Sequence, residues 1–257
     1  MMIQTDKAIM RCNGRFYWAI ATIGFVAAST TAFGALTQEE VDRIVDNEII
    51  MCEHEEDADA IEKSLKERGA TDEMLAHGYY FVMEKTKNAE KGSLDAEKFH
   101  SAAFGFANVA SGPMLTNLLT VAKASTNDLD VSDAILAYHG REPGSRSLLR
   151  WCMDEASLTN CPRHVHATIW ECLSKSMRMN DLPRDIKGDI LRFSRKRVLA
   201  DPMSAFEADR ILCVHDPLYA KSALRKQASS RVLSLADGTV SAEVKHYFET
   251  LAKEVDK

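Results

Sequence analysis

Helix-start and helix-stop signals recur along this chain so often that little fits between them except short helices. Thr37-Gln38-Glu39-Glu40 has the order of a capping box, in which the threonine hydroxyl and the glutamate carboxylate satisfy the first orphan amides of a helix. Behind it Val41, Ile44, Val45, Ile49 and Cys52 share one helical face. Gly69 stops the next helix. Thr71 opens one that is expected to run to about Lys91, before Gly92. Ser93 caps another that reaches the Gly112-Pro113 break, and further helices are expected at 114–124 and 131–139.

The second half repeats the pattern. Ser145, Asp201 and Asp216 stand as N-caps. Pro202 and Pro217 follow two of them at the first helical position, where proline loses no hydrogen bond. Pro162 and Pro183 serve the same way for helices at 162–179 and 183–199. Val240, Val244, Tyr247, Phe248, Leu251 and Val255 form one stripe on a last helix. Strand signals are nearly absent: Asp237-Gly238 sits between two helical patterns rather than between alternating residues. The expected fold class is all-α, with about a dozen short helices joined by tight turns. Such a series folds either as a globular bundle or as an α-solenoid of stacked hairpins.

Asp216-Pro217, followed by Leu224-Arg225 and Ala228, resembles the HEAT-type repeat, whose second helices often begin after Asp-Pro and carry a Val/Leu-Arg step and then a packed alanine. Asp201-Pro202 with Ala205 and Ala208 is a poorer echo. The resemblance covers residues 130–257. The Leu-Arg pair lies several residues later than the family spacing places it, and no single period holds across the sequence. What the resemblance implies is architecture: an array of short antiparallel helices with a surface for gripping a partner. The chain then divides into an acidic helical region at 35–128 and a HEAT-like region at 129–257.

The amino terminus reads as an export signal. Arg11 and Arg15 precede an uncharged, mostly apolar run from Phe16 to Ala28, and Ser29 to Gly34 is small and polar. Cleavage is expected between Gly34 and Ala35, with Met10 an alternative start. The apolar run is short for a membrane span, which needs ~20 residues. An exported, periplasmic or secreted protein without a membrane span is therefore expected. Removal of residues 1–34 leaves 223 of 257, with a net charge of −8. From Ala35 to His139 the net charge is −12; from Gly140 to Lys257 it is +4. An exported acidic chain makes nucleic acid a poor partner.

Export also raises a redox question. Cys52, Cys152, Cys161, Cys172 and Cys213 follow the signal, an odd number in a compartment where thiols pair. Cys152 and Cys172 flank the turn of a helical hairpin and Cys161 sits in that turn, so a disulfide within this trio is the candidate bridge. The alternative is that all are small buried hydrophobes. Cys161, His164, His166 and Cys172 gather ligand types for zinc, but His164 and His166 point ~200° apart on one helix. Neither a metal nor any other cofactor is expected. The acidic run Glu53 to Asp59 lacks the order of a calcium loop.

Arg184, Lys187, Arg192, Arg195, Lys196 and Arg197 form the densest basic patch, a candidate contact for an acidic partner. No Gly-x-Ser-x-Gly and no glycine-rich phosphate loop appears. The expected function is a non-enzymatic exported scaffold that binds a protein or peptide. The alternative is an all-α envelope or secreted hydrolase with an acidic or Cys/His site.

Overall fold

Thr37 does at the start of the first helix what its position predicts. Its hydroxyl accepts from the Glu40 N–H at 3.3 Å, and the Glu40 carboxylate accepts from the Thr37 N–H at 2.9 Å. The computed structural model describes residues 36–52, 54–200, 202–235 and 241–255. The expected export signal lies outside the described residues, as do Asp201, Asp237-Gly238 and Val240. The described part of the chain falls in one compact unit that begins at Ala35.

Twelve α-helices and no strand occur among the described residues: α1 Gln38–Ile44, α2 Glu55–Glu67, α3 Asp72–Thr86, α4 Leu94–Val109, α5 Thr116–Ala124 and α6 Asp128–Arg141; then α7 Arg146–Glu155, α8 Arg163–Met177, α9 Arg184–Arg197, α10 Pro202–His215, α11 Ala223–Leu233 and α12 Ala242–Val255. The all-α expectation holds. A π-helical turn, Val45–Ile49, extends α1, and a 3-10 turn, Gly112–Leu115, precedes α5. No helix among the described residues is long and apolar enough to cross a membrane. Thr71 and Ser93 cap α3 and α4 as expected, and Gly69 leaves α2 with φ +99, a conformation that favours glycine.

Two boundaries and one cap differ from the sequence reading because a tertiary tie outweighs a local signal. Helix α3 stops at Thr86 rather than near Lys91. Asn88 takes φ 65, and its N–H donates to Asp130 Oδ2 at 2.7 Å while its side-chain oxygen accepts from the Thr126 N–H at 2.6 Å. Asn88 thus clamps the start of α6, and the left-handed turn costs less than those bonds return. Helix α11 starts at Ala223, capped by Ser222, and Pro217 opens a turn instead. Asp216 is occupied there by the Leu218 N–H and by the Arg195 guanidinium. Ser145 precedes α7, but its hydroxyl donates to the Tyr138 hydroxyl at 3.0 Å rather than capping.

The helices pack in sequential pairs: α3 with α4, α5 with α6, α7 with α8, α9 with α10 and α11 with α12. Across the pairs, α4 touches α6, α6 touches α8 and α8 touches α10; α5 touches α7 and α7 touches α9. One cluster of buried hydrophobics runs from Val41 of α1 to Ala228 of α11. A second, small cluster of Ala205, Val232, Phe248 and Leu251 joins α12 and α11 to α10. Close approach has its own sequence basis. Gly105 of α4 receives the flat Tyr79 ring of α3, and a Cβ there would run into that ring.

Candidate partner-binding face

Half-exposed polar side chains lie between α4 and α6 and between α8 and α10. His100 of α4 meets Asp133 of α6, Nδ1 to Oδ1, at 3.1 Å. That carboxylate pushes the imidazole pKa up, because its hydrogen bond favours the charged ring more than partial burial disfavours it. Farther along, Ala167, Glu171, Ser174, Lys175 and Arg178 of α8 face Glu207 and Arg210 of α10 across an open groove of about 330 Å³.

Two ion pairs in this groove each lie within one helix. Lys175 holds Glu171 at 2.6 Å, four residues apart, and Arg210 holds Glu207 at 3.4 Å. The Arg210 guanidinium also lies 5.3 Å over the Phe206 ring. Phe206 in turn meets Tyr247 of α12 edge-on at 4.8 Å. Burial pushes the Glu207 carboxyl up; Arg210 opposes this, while Glu243 of α12 and Glu171 of α8 add to it. Glu207 thus sits within the field of three successive helices of one row. Exposed pairs of this kind are worth ~0–1 kcal/mol each.

The predicted basic patch lies on α9, in the other row of helices. Arg184, Arg192, Arg195 and Lys196 are exposed, while Lys187 and Arg197 are half-exposed. Much of its charge is already answered. Arg195 donates to Asp216 Oδ2 at 2.9 Å, and Arg192 pairs with Asp189. Asp185 and Asp189 of the same helix face Arg146 and Arg150 of α7 at 2.9 and 3.9 Å. Lys187 and Arg178 act, after burial, to lower the His215 pKa.

Cys152 and Cys172 are fully buried on α7 and α8, and Cys161 is half-buried in the turn between them. Cys52, Cys152, Cys172 and Cys213 carry free thiols. Burial pushes the Cys172 thiol up to about 12 and the Cys152 thiol well above its ordinary value. His166 is inside the core, while His164 is exposed. The Trp170 indole N–H donates to His166 Nε2 at 3.3 Å, so that nitrogen is an acceptor and the Ser204 hydroxyl, 2.9 Å away, donates to it. That ring joins α8 to α10. Among the described residues no three His, Cys, Asp or Glu side chains are grouped to hold a metal ion.

One polar centre escaped the sequence reading. Asp209 of α10 is fully buried. It accepts from the Tyr219 hydroxyl at 2.8 Å, the Tyr247 hydroxyl at 2.7 Å, Arg225 Nε at 3.3 Å and the Cys213 thiol at 3.3 Å. The available signal was an acid in the apolar stripe of Ala205, Ala208 and Leu212. Every oxygen is used internally, so Asp209 holds helices together rather than a ligand. No protein-family model matches the chain, and no curated protein or solved structure matches it either.

Proposed function

We propose that this chain is an exported, non-enzymatic helical-repeat scaffold that grips a protein or peptide along the α4–α6–α8–α10–α12 face. The observation that carries the reading is a spacing. Polar ties between neighbouring helix pairs recur at one interval: His139 to Ser176 spans 37 residues, Asn127 to Ala89 38, His166 to Ser204 38, Asp209 to Tyr247 38, and Arg146 to Asp185 39. The helices α7, α9 and α11 begin at 146, 184 and 223, with the same step. That interval is close to the ~40 residues of HEAT and armadillo units. From α4 to α10 the even-numbered helices touch next-but-one neighbours, and α5, α7 and α9 do the same, a pattern that stacked hairpins also produce. Repeat arrays of this kind present one row as a continuous binding surface.

The test uses two chains: the wild type, and one with Glu171→Lys and Glu207→Lys in the groove. Affinity capture from the native envelope or secretome is expected to recover a specific partner with the first and not with the second. Equal recovery by both, or none by either, argues against this face. Amino-terminal sequencing of the secreted form is expected to begin at Ala35.

A second reading is a hydrolase acting on an envelope polymer. The raised Glu207 carboxyl, with Glu171 and Glu243 near it, supports this, since general acids are tuned upward in the same way. Turnover of envelope polymers that vanishes in Glu207→Gln would favour it over the scaffold.

A further inference from the structure

The hairpin of α11 and α12 holds a pocket of about 230 Å³. Arg225, Lys226, Ser229, Ser230 and Leu233 line it from α11, and Leu251 lines it from α12. On one helix these five residues fall within a sector of ~140°, so they share a side. No aspartate or glutamate lines the pocket among the described residues. Its polar wall is therefore made of two cations and two hydroxyls, beside an apolar wall of two leucines.

All four polar side chains have donors to spare. Ser229 is only 8% exposed, and its hydroxyl makes no hydrogen bond among the described residues. The oxygen is nevertheless not sealed off: it keeps accessible surface. Arg225 is held from behind. Its Nε donates to Asp209 at 3.3 Å and its Nη1 to the Ala220 carbonyl at 3.5 Å. Its Nη2 has no partner among the described residues and also keeps accessible surface. Lys226 and Ser230 are exposed, and neither side chain has a partner among the described residues. Asp209 already answers the charge of Arg225, so the surplus is the single positive charge of Lys226. A carboxylate carries one negative charge, and its two oxygens offer about four acceptor positions, one for each donor group here. A phosphate monoester would bring nearly two charges against that surplus of one.

We infer that this pocket binds a small aliphatic carboxylate, of the size of a short-chain fatty acid. The carboxylate accepts from Arg225 Nη2, the Lys226 ammonium group and the two serine hydroxyls. The hydrocarbon packs on Leu233 and Leu251. Asp209 fixes the guanidinium beforehand, so little side-chain freedom is lost when the ligand arrives. The site is separate from the groove between α8 and α10, so it stands or falls without the scaffold reading.

Calorimetric titration of the purified chain tests this with three probes: hexanoate, hexan-1-ol and acetate. Hexanoate is expected to bind saturably. Hexan-1-ol, which keeps the hydrocarbon without the charge, and acetate, which keeps the charge without the hydrocarbon, are each expected to bind at least tenfold more weakly. Lys226→Ala is expected to weaken hexanoate about tenfold, the equivalent of ~1.4 kcal/mol. Ser229→Ala, which deletes only the buried hydroxyl, is expected to weaken it as well. Lys226 is exposed, so its variant carries the test should Ser229→Ala fail to fold by circular dichroism. Arg225 is left intact, because its removal would strand Asp209. The proposal is overturned if hexanoate does not saturate by ~10 mM, if hexan-1-ol or acetate binds as tightly as hexanoate, or if either folded variant binds hexanoate like the wild type.

Discussion

The Tyr247 hydroxyl donates to the carboxylate of Asp209 at 2.7 Å, so the last helix is fastened to a charge that water does not reach. Tyr219 and Arg225 fasten the intervening segment to the same carboxylate. Removing the carboxylate strands a largely buried guanidinium and two hydroxyls. Asp209→Ala is expected to cost about 3–5 kcal/mol, the range for breaking a buried pair. Tyr247→Phe, which removes one hydroxyl, is expected to cost about 1 kcal/mol. Urea melts of both variants check the order; similar losses would show that the charge carries no special weight.

Solvent changes the outcome for pairs of the same chemistry. Arg146 and Asp185 join α7 to α9 at 2.9 Å, but both are about half exposed. A double-mutant cycle with Arg146→Ala and Asp185→Ala is expected to give a coupling of about 0.2–1 kcal/mol. Raising the salt concentration should shrink it further.

Two glycine-to-alanine changes are expected to move stability in opposite directions. In Gly105→Ala the new methyl meets the Tyr79 ring, whose hydroxyl is tied to Glu62, so the ring cannot retreat freely. A net loss of about 1–3 kcal/mol is expected from overpacking. At Gly140, in the last turn of α6, a Cβ has nothing within 4 Å. Gly140→Ala is expected to stabilise by about 0.5–1 kcal/mol through helix propensity. Thermal melts compare the two.

The buried thiols set an alkaline limit. Cys152 and Cys172 hold their protons in the fold at pH values where the unfolded chain releases them. The native state then binds more protons, so their contribution to stability is full below the ordinary thiol pKa and falls as pH rises above it. Native alkylation at pH 8 should spare both residues while the half-buried Cys161 reacts. Thiol counting on denatured, unreduced protein lacking residues 1–34 is expected to give five if these cysteines stay free, and three if the trio holds a bridge.

His139 acts on the acid side. Burial, aided by Lys175, lowers its pKa, so the neutral ring belongs to the fold. Its stabilising contribution is present above the ordinary histidine value and is lost as pH falls through the lowered one. The Ser176 hydroxyl donates to the Pro143 carbonyl and therefore accepts from His139 Nε2 at 3.1 Å. Urea melts between pH 7 and 5 should show a shallower pH dependence for His139→Gln than for the wild type.

Local signals were legible in the sequence wherever the partner was also local. Thr37, Thr71 and Ser93 bond to amides three residues on, and their helices start where they stand. Gly69 is as direct a case. Asp216 was misread because its decisive partner, Arg195, is 21 residues away. Asn88 was missed for the same reason: what bends the chain there is Asp130, on a later helix. The spacing of 37 to 39 residues between tied helices was hidden because it is written in which residues touch, not in recurring residue types. His139 with Ser176 and Asp209 with Tyr247 occupy comparable places in the array with different chemistry. The pocket of the last hairpin draws on two helices and the turn before them, and no spacing marks it.

Helix α12 and the end of α11 rest on a small apolar cluster of their own, and Asp209 fastens them to the rest of the array. In hydrogen exchange the final hairpin should behave as a single foldon, opening below the global unfolding free energy. Asp209 is then a latch: with it closed, the last two helices are held against α10; with it open, the apolar side of α10 at Ala205 loses its cover.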